Sequence, residues 1–210
     1  MIRVDCHLHT ALSGDAVTTI DELAERVEQE RLDVVFITDH NVTAAAVQAA
    51  ERGIGAQVIV GEEIRTQDGD VIGLFLTDRI PYVLPLAEAI AKIREQGGLV
   101  YLPHPFDPGR STLKPAISER LCSEGIADVV EVFNAKIEDP EWNRRAANLA
   151  ARYDLPGGAG SDAHDPDGIG AAYLEMPDFD GPADFLAALR QATITGEYRP
   201  HAIRYARRRV

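Results

Sequence analysis

Residues 3–40, RVDCHLHTALSGDAVTTIDELAERVEQERLDVVFITDH, contain one complete strand, helix and strand unit. Arg3 to Leu8 and Val34 to Thr38 are short β-rich runs. Between them, Thr19-Ile20-Asp21-Glu22 has the pattern of a capping box, and Ile20, Leu23 and Val27 recur at helical spacing, which predicts a helix over 20–31. The alternation continues outward. Further strands are expected at Gln57 to Glu63, Val71 to Leu76, Leu99 to Pro103, Val129 to Phe133, Gly157 to Ser161 and Ala171 to Met176. Helices are expected over 85–96, stopped by Gly97-Gly98, after Asp139-Pro140 with Trp142, Ala146 and Leu149 facing inward, and from Pro182 through Phe185 and Leu189. Such alternation predicts an α/β fold around a mostly parallel sheet, and eight strand candidates point to a barrel. With no repeat, linker or low-complexity tract, residues 1–210 are expected to form a single domain.

Composition limits what that fold can serve. Hydrophobic residues make up 45% and charged residues 26%, enough to bury a real core. No apolar run approaches a bilayer span and the start lacks a signal peptide's apolar stretch, so a cytoplasmic protein without a membrane partner is expected. Cys6 and Cys122 are expected as reduced thiols. A formal charge of −13 argues against extended nucleic acid as a partner. Arg204, Arg207, Arg208 and Arg209 form the one basic cluster and read as a solvated tail, with His201 beside them at the surface.

Of six histidines, five fall at or just beyond the C-terminal ends of expected strands: His7, His9, His40, His104 and His164. In a parallel barrel those ends share one rim, so residues distant in sequence meet there. His7 and His9, two apart on a strand, project together while Cys6 and Leu8 turn outward; Asp5 lies deeper and reads as structural. His40 follows Val34-Val35-Phe36-Ile37 as the chain emerges. In Gly61-Glu62-Glu63-Ile64 alternation sends one glutamate inward without choosing which. Pro103 and Pro105 stiffen the backbone around His104, and Asp162 and His164 are again two apart. The glycines at 157, 158 and 160 read as close packing ahead of an anion nest. Core packing does not demand imidazole at these places, so the pattern predicts a metal site.

The motifs Asp5-Cys6-His7-Leu8-His9-Thr10, Ser13-Gly14-Asp15, Ile37-Thr38-Asp39-His40-Asn41, Gly61-Glu62-Glu63-Ile64, Leu102-Pro103-His104-Pro105, Glu131-Val132-Phe133-Asn134 and Gly160-Ser161-Asp162-Ala163-His164 resemble a known family. It is the PHP (polymerase and histidinol phosphatase) domain of metal-dependent phosphoesterases, and the resemblance covers most of the chain. It implies a distorted (β/α)7 barrel with the metal site at the C-terminal ends of the strands. It further implies a first metal on His7, His9, Glu63 and Asp162, and a second on Glu63, as bridge, and His104. A third would take Asp15, His40 and His164, and all eight residues would serve catalysis. Many relatives carry a histidine between the bridging glutamate and the His-Pro motif, whereas residues 64–103 contain none. Asp70 lies nearest to that position, as a substitute ligand or as a turn residue.

Two or three divalent ions are therefore expected, and mixed imidazole and carboxylate ligands suit manganese, zinc or iron alike. Metal-bound water with its pKa lowered to about 7 would supply hydroxide for attack on phosphorus. The expected substrate is a small phosphorylated metabolite or nucleotide, with Arg110 placed to clamp a phosphate oxygen and Asn134 to line the pocket or to make a buried hydrogen bond. Asp15 or an unliganded histidine remains open as general acid. Alternatives are a nuclease trimming short oligonucleotides, a metal-dependent hydrolase of a non-phosphate bond, or a domain that metal merely stabilises.

Overall fold

The computed structural model describes residues 1–199, so His201 and the arginines at 204 and 207–209 lie outside the described residues. In chain order the elements are β1 (Ile2–Leu8), α1 (Ile20–Glu30), β2 (Val34–Ile37), α2 (Ala44–Arg52), β3 (Gln57–Arg65) and β4 (Asp70–Leu74). They continue with α3 (Leu86–Glu95), β5 (Leu99–Leu102), α4 (Pro115–Ser123), β6 (Val129–Asn134) and α5 (Pro140–Arg152). Last come β7 (Gly157–Gly160), β8 (Ala172–Met176), α6 (Pro182–Leu189) and β9 (Thr193–Gly196). The first helix starts as its sequence dictates. Thr19 Oγ1 accepts a bond from the Glu22 amide (3.2 Å) while the Glu22 carboxylate accepts one from the Thr19 amide (2.9 Å).

The strands form one sheet in the order β7-β6-β5-β4-β3-β2-β1-β8-β9. Its class is α/β, but the (β/α)7 count is corrected to nine strands, with β4 antiparallel to β3 and β5, and β8 antiparallel to β1 and β9. A short hairpin explains the first reversal. Thr66 donates its amide to Gly69 O at 3.1 Å, and a connection this tight leaves no room for the crossover that parallel strands need.

The sheet curls into a nearly closed barrel because the free edge of β1 is shared. Its first half pairs with β8, Ile2 opposite Met176, while its end meets the chain beyond β7. There the Asp162 amide donates to His7 O at 2.7 Å and the His9 amide to Ala163 O at 3.0 Å. Glycine is needed for this approach. A Cβ on Gly160 would overlap that of His7, and one on Gly158 would overlap the Tyr101 ring, so the run is close packing as its sequence implied.

Inside the barrel Val4, Val34, Phe36, Ile72, Leu74 and Tyr101 pack together, joined by Phe185 of α6. Phe75, just past the far end of β4, lies 5.5 Å from Phe185 and 6.2 Å from Phe179, ring centre to ring centre. Thus α6 plugs the rim away from the histidines. Cys6 packs in this interior too, contrary to the outward direction expected. The register between β1 and β2 shifts between Asp5 and Leu8, and the extra residue reverses which face follows it. Both cysteines are free and buried. Among the described residues no helix is long and apolar enough to cross a membrane.

Candidate metal centre

Parallel strands deliver the polar cluster to one rim: His7 near the end of β1 and His9 just beyond it, His40 beyond β2, Glu63 near the end of β3, His104 beyond β5, and Asp162 and His164 beyond β7. Asp70 joins them because β4 runs the other way and starts where its neighbours end. Glu63 is the hub. Its Oε2 lies 3.3 Å from Nε2 of both His7 and His9 and 3.4 Å from His40 Nδ1, while its Oε1 lies 3.3 Å from His104 Nε2. Glu62 points elsewhere and accepts the Ile80 amide at 2.7 Å, which resolves the choice that alternation left open.

All eight residues expected as ligands come together. Ligand atoms lie within 4.8 Å of one another in the groups His7, His9, Glu63; His7, His104, Asp162; His9, Asp15, His40, His164; and His40, Glu63, Asp70. These donors fit cations. Glu63 Oε1 and Asp162 Oδ1 are buried and hydrogen-bonded to no described residue. The Nε2 atoms of His7 and His9 face each other at 3.0 Å, an arrangement that asks for a proton or a cation between them.

Electrostatics follows from the crowding. Burial alone would raise Glu63, but the charge of His40 and the close imidazoles of His104, His7 and His9 hold it well below the usual carboxylate range. Burial likewise opposes ionisation of Asp162, and Arg110, Lys136 and His7 pull its pKa well down. For Asp15, burial is outweighed by His40, His9 and His164. Two buried ligand candidates also stand on left-handed backbone, His104 at φ 29° and Asp162 at φ 50°, a strain of about 1–3 kcal/mol each that the barrel must absorb.

Around the cluster a hydrogen-bonded support fixes the rings. His7 Nδ1 bonds Glu131 Oε1 at 3.0 Å, leaving Nε2 free to ligate, and Glu131 also accepts from Tyr101 Oη (3.1 Å), the His104 amide (2.7 Å) and Asn134 Nδ2 (3.0 Å). Glu131→Gln is expected to weaken cation affinity about 10- to 100-fold, read by competition with a chelating dye, because the ring loses its carboxylate anchor. Unchanged affinity would show that the anchor is dispensable.

A cavity of about 260 Å³ opens over the cluster, lined by Asp15, His40, Glu63, His104 and His164, with Arg65, Asp70, Arg110 and Lys136. Arg110 lies at the cavity as expected, with Nη2 2.8 Å from Asp162 Oδ2 and Nε 3.4 Å from Asp107 Oδ2. Asn134 does not line the cavity. It is fully buried, and its amide is committed to Glu131 and to Asp162 (3.2 Å). Asp70 pairs with Arg65 as well as facing His40 and Glu63. Lys136 carried no signal in the sequence beyond standing two residues after Asn134. Its pKa falls to about 8, lowered by burial and by Arg110 against the pull of Asp162, Asp15 and Glu63.

The chain has relatives. A family model described as PHP domain matches residues 5–138, and one described as PHP-associated matches residues 140–194. An uncharacterized protein of Methanocaldococcus jannaschii is 38% identical over 201 residues, covering 91% of this chain and 81% of that one. Among solved structures, PsfC of Pseudomonas syringae has a TM-score of 0.69 at 22% identity, covering 96% of this chain and 95% of that one. A two-domain protein of Bacteroides vulgatus, containing a predicted PHP-like metal-dependent phosphoesterase, has a TM-score of 0.70 at 19% identity over 93% of this chain. The present chain spans 65% of that protein's length. With the PHP model spanning more than half of its residues, the chain belongs to the PHP domain family.

Proposed function

We propose that the protein is a metal-dependent phosphoesterase acting on a small phosphorylated metabolite or nucleotide. One observation carries the reading: a single buried carboxylate, Glu63, faces four imidazoles while its Oε1 has no hydrogen bond among the described residues. In this reading His7, His9, Glu63 and Asp162 hold one cation, Glu63 and His104 share a second, and Asp15, His40 and His164 hold a third. Manganese, zinc or iron bound there would supply a water-derived nucleophile at neutral pH and neutralise charge on the phosphoryl oxygens. The chain's own part is orientation and charge. Glu131 fixes the His7 ring, Asp15 stays ionised beside His40, and Arg110 holds positive charge at the cavity wall. A cavity of about 260 Å³ suits a compact phosphoester better than an extended polyanion.

The test is chelation followed by reloading with manganese, zinc or ferrous iron, against a panel of phosphomonoesters and diesters. Metal-dependent phosphate release is the expected result. A reloaded protein that cleaves amides or esters but no phosphoester would replace this reading with hydrolysis of a non-phosphate bond.

A further inference from the structure

We propose that Lys136 is the principal anion anchor of the cavity, the side chain that grips the phosphoryl oxygens of the substrate. The inference rests on the phosphoesterase reading and adds a residue to it. One lysine and two arginines line the cavity, and both arginines are already matched by carboxylates: Arg65 by Asp70, and Arg110 by Asp162 and Asp107. Lys136 has no ion-pair partner among the described residues, although only 5% of it is exposed. A lysine so enclosed, lining the cavity with no carboxylate paired to it, leaves its ammonium open to an anion that the chain does not itself provide.

The backbone holds Lys136 where such an anion would sit. Its amide donates to Asn134 Oδ1 at 2.9 Å, and the same Asn134 side chain donates to Glu131 and Asp162. Asn143 brackets the Asn134 backbone from α5, accepting its amide and donating to its carbonyl, both at 3.1 Å. One chain of bonds therefore fixes the lysine relative to the ligand cluster. Its pKa is depressed to about 8, first by burial and then by Arg110, against the pull of Asp162, Asp15 and Glu63. Once cations occupy the cluster, the pull of Asp162, Asp15 and Glu63 on the ammonium is offset, and an anion between the two positive groups relieves both.

Metal-loaded wild-type chain, Lys136→Gln and Lys136→Arg should be titrated calorimetrically with inorganic phosphate, with metal content and melting temperature measured alongside. Lys136→Gln is expected to keep its metals and melting temperature but to bind phosphate at least about tenfold more weakly, with Lys136→Arg recovering part of the loss. Equal phosphate affinity in wild type and Lys136→Gln overturns the assignment while leaving the phosphoesterase reading intact. Loss of metal or early melting in Lys136→Gln, without recovery in Lys136→Arg, also overturns it, since the lysine would then be a structural charge. A loaded wild type that neither binds nor releases phosphate sinks the phosphoesterase reading and this assignment with it.

Discussion

Glu63→Gln is expected to cost the protein at least one bound cation per chain and to lower kcat/KM on the order of 10³-fold or more. The side chain is nearly isosteric, so the fold should survive. What changes is charge at the point where the rings of His7, His9, His40 and His104 converge on two oxygens. A neutral amide would be a poor bridge between two cations, and its nitrogen would present protons to imidazole nitrogens that the proposed ligation needs free. Glu62→Gln is the matched control. Its carboxylate faces the Ile80 amide instead, and burial already raises its pKa to about 7, so metal content and turnover should hold. Elemental analysis of both variants decides the matter: a Glu63→Gln chain that retains its full complement of metal would remove the hub from the centre.

Gly160→Ala should be the most damaging single methyl. The added carbon would overlap the His7 Cβ and stand 2.9 Å from the His7 amide nitrogen, with strand backbone on either side and no flexible side chain to yield. We expect a loss of about 3 kcal/mol or more, seen as a melting temperature lower by about 5–10 °C. His7 moves with its strand, so cation affinity should fall as well. Normal melting with weakened metal binding would mean that the barrel parts locally at this point instead of straining as a whole.

Much of the centre was legible because its signals are local. His7 and His9 stand at the spacing that puts two side chains on one face of a strand, and His40, His104 and His164 each follow an apolar run that marks a strand end. The rest depended on tertiary facts. Alternation alone left Glu62 and Glu63 open and only the family resemblance named Glu63; the physical reason is the Ile80 amide, eighteen residues on, which claims the Glu62 carboxylate. The inward turn of Cys6 required a register shift that leaves no mark in composition. Helix α2 escaped notice because Thr43 makes no side-chain cap and Ala44-Ala45-Ala46 shows little contrast between faces. Strand β9 escaped because all four of its residues are exposed, so no alternation betrays it. Asn134, at a strand end, was open to a pocket role or a buried hydrogen bond; it takes the buried role, and Lys136, two residues on, lines the cavity.

The divided edge of β1 has a bearing on how the molecule is built in time. Its first strand must wait for the last third of the chain before the ring can close, a late and entropically demanding encounter between remote segments. The groups that meet at that junction belong to the candidate centre: His7 and His9 from one end face Glu63, and Asp162 from the other lies 3.5 Å from His9. An ion captured among them would act as a clasp between the beginning and the end of the polypeptide, and would tie maturation of the centre to completion of folding.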